Sequence, residues 1–129
     1  MEIAFEFVVV SLVSNMRNPI QSPSVVPSST VHLVLDDFGP LGKVYRETDE
    51  GADADEVIQD MLAGQFNKPV RVVAFNTTEG WARDVSENIA WEVLKRVAFE
   101  GRTLADSTRS FCIFHVGENE TQLAESAAL

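Results

Sequence analysis

The stretch VHLVLDDFGPLGKVYRET, residues 31–48, contains the pattern that decides the fold. Its first seven residues are mainly apolar and β-branched, which predicts a strand, and FGPLG at 38–42 supplies the glycines and the proline of a turn. KVYRET at 43–48 then alternates polar and apolar side chains, which is typical of a half-buried strand. We therefore expect an antiparallel hairpin here.

The segment DADEVIQDMLAG, residues 53–64, follows the hairpin and predicts a helix. Asp53 can accept a hydrogen bond from the backbone amide of Glu56, and Gly64 can adopt the left-handed conformation that ends a helix. The apolar side chains recur at helical spacing on one face, namely Val57, Ile58, Met61 and Leu62.

One more strand and two more helices complete the predicted domain. PVRVVAFN at 69–76 is apolar on both faces apart from one arginine, as expected for a strand covered by helices. A second helix is expected to open at Asp84 and to run toward Gly101. A third helix is expected at residues 103–117, with Thr103 as its capping residue. Residues 110–116 of that third helix also fit a strand.

The element order β-β-α-β-α-α restricts the topology. A right-handed crossover from the second strand to the third places the third strand beside the first, which gives the sheet order 2-1-3. All neighbouring strands are then antiparallel. The predicted fold is an α+β, two-layer sandwich with a three-stranded sheet and its helices on one face.

The first thirty residues differ from the rest of the chain. Residues 3–13 are apolar but too few to cross a bilayer as a helix, and they lack the features of a secretory signal. Prolines among serines at 18–30 predict a linker. We expect residues 1–30 to be a disordered extension or the product of a start site assigned too far upstream, with Met16 or a later site as the true start. The alternative is an N-terminal strand that packs in a partner.

The remaining boundaries follow from the same pattern. We expect one globular domain at residues 31–117 and a flexible C-terminal tail at 118–129, because the tail is polar and rich in alanine.

Composition limits the classes of function. The formal net charge of -10 and the pI near 4.5 disfavour binding to nucleic acid or to anionic membranes. A single cysteine, Cys112, excludes an intrachain disulfide and a zinc site built on paired thiolates. We expect a cytoplasmic protein with no cofactor and no metal.

The runs VHLVLDDFGPLGKVYRETDE and PVRVVAFNTTEGWARDVSENIA resemble a family of short uncharacterised proteins from alphaproteobacteria. The resemblance covers roughly residues 31–117 and implies that residues 1–30 are an addition to the shared unit. It implies no catalytic or binding residues, since the family has no established activity. RSFCIFHVG at 109–117 is more apolar than the family's last helix.

The loop FNTTEGWARDVS, residues 75–86, carries the candidate ligand cleft. With the sheet order 2-1-3, the start of the first strand lies beside this loop, and a titrating base, an amide, an acid and a cation would meet there. These candidates are His32, Asn76, Glu79 and Arg83. The cleft has no evident nucleophile, so we leave enzymatic activity open and lean against it. The alternative is that these side chains only form turn and cap hydrogen bonds.

The candidate partner surface is on the second helix. Trp91 lies on the polar side of that helix, where an exposed aromatic side chain indicates a contact site. Asp55 and Asp60, on the acidic first helix, extend this candidate surface. We therefore expect a small acidic protein-interaction or regulatory domain that binds a protein partner or its own copy. The alternative is a small-molecule binder or weak enzyme that uses the cleft.

Overall fold

Four strands form one antiparallel sheet in the computed structural model, which describes residues 30–48 and 53–128. The strands are β1 (Thr30–Asp37), β2 (Lys43–Arg46), β3 (Pro69–Asn76) and β4 (Trp81–Asp84). The α-helices within the same residues are α1 (Ala54–Leu62), α2 (Ser86–Glu100), α3 (Asp106–Val116) and α4 (Glu118–Ala127), and a 3-10 helix spans Gly39–Leu41. The sheet order is β2-β1-β3-β4.

The predicted order 2-1-3 is confirmed for the first three strands. β1 pairs antiparallel with β2, where Leu35 lies opposite Tyr45, and antiparallel with β3, where Val34 lies opposite Val72. The turn between β1 and β2 closes through a hydrogen bond from the amide of Gly42 to the carbonyl of the first glycine of FGPLG. The apolar strand β1 is therefore central, as expected.

The prediction of a three-stranded sheet is wrong, because residues 81–84 form a fourth strand. We assigned the whole of 75–86 to a loop, but only 77–80 connect β3 to β4. Gly80 has a φ of 72° and donates its amide to the carbonyl of Asn76 over 2.8 Å, which reverses the chain within four residues. The sequence WARD has too few apolar residues to signal an edge strand.

The first helix begins after its predicted cap Asp53, whose side chain accepts from the amide of Glu56 over 2.8 Å, but the second and third helices differ from the predicted ones at their starts. α2 begins at Ser86, because Asp84 still belongs to β4, where its side chain accepts from the amide of Ser86 over 2.8 Å. α3 begins at Asp106 and has no side-chain cap, so Thr103 does not have the predicted capping role. Residues 110–116, which also fitted a strand, are helical.

A fourth helix occupies residues 118–127, where we expected a flexible tail. Its start is fixed by the hydroxyl of Thr121, a buried residue, which donates to the carbonyl of Gly117 over 2.8 Å. Its far end is tied to α3, because Arg109 donates to Glu125 over 2.7 Å. These two contacts extend the folded unit beyond the predicted boundary.

The main core lies between the helices and one face of the sheet, which we call the first face. The sheet contributes Val34 and Val72, and the helices contribute most of the rest. The helical members are fully or almost fully buried: Val57, Ile58, Met61 and Leu62 from α1, Ile89, Ala90, Val93, Leu94 and Val97 from α2, and Phe111 and Cys112 from α3. The predicted apolar face of α1 is thus confirmed as core, and α2 also contributes a buried apolar face.

The opposite face of the sheet, which we call the second face, carries a separate apolar cluster. Val73 and Phe75 form its buried centre, and four partly buried side chains surround them: Val31, Leu33, Tyr45 and Ala82. All six residues belong to strands. Among the described residues, therefore, the helices pack on the first face only, as predicted.

The expectations for residues 1–29 lie outside the described residues. Within 30–48 and 53–128, no helix combines the length and the apolar composition that crossing a bilayer requires.

Candidate functional site

The turn between β3 and β4 is built on Asn76, one of the four predicted cleft residues. Its side-chain oxygen accepts from the amide of Thr78 over 3.0 Å and from the amide of Glu79 over 2.7 Å. Its side-chain nitrogen donates to the hydroxyl of Thr30 over 3.1 Å. Asparagine commonly holds a turn in this way. The polar atoms of Asn76 are therefore engaged inside the protein.

Glu79 and Arg83 both contact Trp81 at this turn. The indole nitrogen of Trp81 donates to Glu79 Oε1 over 2.8 Å, and the Arg83 guanidinium lies 4.2 Å from the centre of the Trp81 ring. A cation over an indole ring gains about 0.5–1 kcal/mol at exposed sites. Glu79 and Arg83, the predicted acid and cation of the cleft, therefore both contact Trp81.

His32 belongs to the same end of the sheet but is separated from Arg83. It is buried in β1 and lies opposite Ala74 of β3, which in turn lies opposite Arg83 of β4. Two strand spacings therefore separate His32 from Arg83, a backbone distance of about 10 Å. The structure brings the four predicted residues to one end of the sheet without converging their polar groups on one point.

Asp36, at the other end of β1, was not among the predicted site residues, but its carboxylate accepts three hydrogen bonds. Asp36 is fully buried, and its Oδ1 accepts from the amide of Lys68 over 2.6 Å. Its Oδ2 accepts from the amide of Asn67 over 2.8 Å and from Arg46 Nη1 over 2.6 Å. Asp36 therefore joins β1 to β2 and to the loop that precedes β3.

Arg46 and two aromatic residues, Phe38 and Phe66, line an open depression of about 670 Å³. Its guanidinium carbon is 5.8 Å from the ring centre of Phe38 and 5.4 Å from that of Phe66. The described residues lining the depression include the hydroxyl of Ser107 but no histidine, cysteine or carboxylate. A hydroxyl without a general base is a weak nucleophile.

The two acidic residues of the predicted partner surface, Asp55 and Asp60, both interact with other groups of the chain. Asp55 forms an ion pair with Arg96 of α2, and the hydrogen bond from Arg96 holds the pKa of the Asp55 carboxyl below its usual range. Asp60 is half-buried and also has a partner within the chain. Both acids predicted for this surface thus make contacts inside the protein.

Trp91 is exposed on the outer side of α2, as predicted. It keeps 43% of its surface accessible, whereas the opposite side of α2 is core. Lys95 and Phe99 follow at intervals of four residues and are exposed as well, so the three side chains form one outward stripe along α2. We call Trp91, Lys95 and Phe99 the α2 stripe.

Further large apolar side chains are exposed on the neighbouring helices. Phe114 of α3 is 79% accessible, and Leu123 of α4 is also exposed. Trp91 was predicted to be exposed and Phe99 was not, although the 100° helical spacing that places Trp91 on the outer side also places Phe99 there. Phe114 was missed because residues 110–116 fitted two secondary structures.

Cys112 is buried, and its thiol lies 4.0 Å from the carbonyl oxygen of Ala90. Burial raises the pKa of the Cys112 thiol to about 12, and the charge of Glu125 acts in the same direction. Among the described residues, no group of three or more histidine, cysteine, aspartate or glutamate side chains could hold a metal ion.

We expect the Cys112 thiol to resist alkylation at pH 8 in the folded protein. With a pKa near 12 instead of about 8.5, the thiolate fraction is about a thousandfold lower than in the unfolded chain. The measurement is the rate of alkylation by iodoacetamide, with and without urea. A folded-state rate within tenfold of the unfolded rate would contradict the buried position.

The comparisons with known proteins give no match: not among protein-family models, not among curated proteins and not among solved structures.

Proposed function

We propose that this chain is a protein-binding domain whose helical layer docks on a basic partner protein through the α2 stripe. The observation that carries the proposal is the exposure of Trp91 on a helix whose other side is entirely core. Tryptophan contributes more to interface energies than most residues, and a monomer gains nothing by exposing it. The resemblance to short alphaproteobacterial proteins remains a prediction and adds no partner.

The surroundings of Trp91 support a large apolar contact. Phe99 continues the same stripe, and Phe114 and Leu123 are exposed on α3 and α4, which both pack against α2. Apolar side chains on adjacent helices make a broader apolar surface than scattered single residues do. Such a surface fits an apolar pocket or groove on another protein.

Charge favours a basic partner over a second copy of this chain. The formal net charge is -10, so two copies repel each other, whereas a basic protein is attracted and its association accelerated. The same charge argues against nucleic acid as the partner. The single buried thiol fits a reducing compartment, and we propose the cytoplasm.

The small-molecule alternative has less support at the turn between β3 and β4. The polar groups of Asn76 and Glu79 are engaged in hydrogen bonds, and the Arg83 guanidinium packs over Trp81. A ligand there would have to displace these contacts. We therefore propose that this turn stabilises the sheet.

Replacing Trp91 by serine is expected to weaken partner binding at least thirtyfold, which corresponds to about 2 kcal/mol for an interface hot spot. The immobilised full chain would first capture proteins from a source-cell extract, and the affinity for the captured and purified partner would then be measured. The free energy of unfolding should change by less than about 1 kcal/mol, because Trp91 is half-exposed.

Leu41 provides the matched control. It is 87% exposed in the connection between β1 and β2 and does not belong to the α2 stripe, so Leu41→Ser should leave the affinity unchanged. Equal affinities of the wild type and the Trp91→Ser variant would contradict the proposal. A dimer of the full chain that requires Trp91, seen by sedimentation velocity, would replace the basic partner by a second copy.

A further inference from the structure

The second face of the sheet is apolar, and its central side chains are shielded from solvent although no described helix packs on it. Its two central side chains, Val73 and Phe75, are only 6% and 3% exposed, although the described helices all pack on the first face. The side chains around them are only partly buried, and they all belong to strands. Strand residues alone do not form a second layer over a flat sheet, so a further segment must contribute.

The sequence of β3 is consistent with two covered faces. In PVRVVAFN, Val72 and Ala74 point toward the helices, whereas Val73 and Phe75 point to the second face, and all four are buried. A strand that is half exposed shows polar residues on its solvent side instead. The pattern at 69–76 therefore indicates apolar contact on both sides of the central strand.

We propose that residues 3–13 of this chain pack on the second face and cover Val73 and Phe75. This segment, IAFEFVVVSLV, contains nine apolar residues among eleven, with Phe5 and Phe7 as its largest side chains. It belongs to the 29 residues that precede β1 and lie outside the described part of the chain. An apolar segment and an apolar face in one polypeptide bind at a high effective concentration.

The connection is long enough for this arrangement. Sixteen residues, 14–29, join the apolar segment to Thr30, and an extended chain of that length spans about 50 Å. β1 has eight residues and is about 26 Å long. Because β1 is a central strand, residues 3–13 can reach any point of the second face from its start.

Proton NMR of the full chain tests the contact directly. We expect nuclear Overhauser effects between the ring protons of Phe5 or Phe7 and the methyl groups of Leu33 or Val73. A sample that mixes labelled and unlabelled chains separates contacts within one chain from contacts between two. Contacts seen only between differently labelled chains would overturn the proposal, because a second copy would then supply the segment.

A pair of triple variants tests the contribution to stability. Serine at Phe5, Phe7 and Val9 should lower the urea midpoint of unfolding by about 1 M or more, since three apolar side chains lose their burial. The matched control places serine at Ile20, Val25 and Val26, three apolar residues of the connecting stretch, and should leave the midpoint unchanged. Equal midpoints for the two triple variants, together with no ring-to-methyl contact in the wild type, would overturn the proposal.

Discussion

Replacing Phe111 by alanine is expected to lower the free energy of unfolding by about 3–5 kcal/mol. Phe111 is 2% exposed and belongs to the core between the sheet and the helices, where α3 contacts both α2 and β3. The smaller side chain would leave a cavity that close-packed neighbours fill only in part. Urea unfolding, followed by far-UV circular dichroism, measures the change.

Phe114→Ala is the matched control, because it removes the same atoms from the same helix. Phe114 is exposed, so its loss should change the free energy of unfolding by less than about 0.5 kcal/mol. The contrast between the two variants follows from the helical course of residues 110–116. Equal losses of stability would mean that α3 presents a different face to the core.

Replacing Asp36 by alanine is expected to lower the free energy of unfolding by about 3 kcal/mol. The change removes the acceptor of two backbone amides and of the Arg46 guanidinium. Hydrogen bonds to a charged group each contribute about 1.5–3 kcal/mol, and solvation of the released donors offsets part of that loss. The measurement is again urea unfolding at neutral pH.

Asp37→Ala is the control for this second prediction. Asp37 is the next residue of β1, and its carboxylate accepts from the amide of Gly39 at an exposed position. We expect its loss to cost about 1 kcal/mol or less, because water can replace the acceptor. If the two alanine variants lose the same stability, the buried network around Asp36 does not contribute as its geometry implies.

The confirmed part of the fold rests on local signals. Side-chain pattern and residues typical of turns or helix caps predicted these elements together. The examples are the alternation at 43–48, the apolar run of β1 and the capping pair at the start of α1. The order of the first three strands then followed from the handedness of one crossover. These signals depend on residues that are close together in the chain, so they can be recognised in a single sequence.

The elements that were missed depend on contacts between distant residues. β4 has four residues and little apolar content, and it is stabilised by pairing with β3. α4 is polar, and its order depends on the Arg109 contact with Glu125 and on the buried hydroxyl of Thr121. Secondary-structure propensity and hydrophobic periodicity do not predict such tertiary contacts.

The candidate site residues also differ in whether local sequence or distant contacts determine their positions. The outward position of Trp91 follows from helical spacing alone, and it is confirmed. The role of Asp36 required knowledge of which amides approach it, since two acids adjoin at 36 and 37 and only one is buried. The four predicted cleft residues lie at one end of the sheet, but the hydrogen bonds of Asn76 and Glu79 depend on the hairpin between β3 and β4, which the sequence did not reveal.

The short outer strands limit the ways in which this protein can aggregate. β2 and β4, at the margins of the described sheet, have four residues each and carry charged side chains at Lys43, Arg46, Arg83 and Asp84. An incoming strand would find few unpaired backbone groups there and would have to desolvate charge. Edge-to-edge fibre growth is thereby discouraged, even though the central strands are rich in valine.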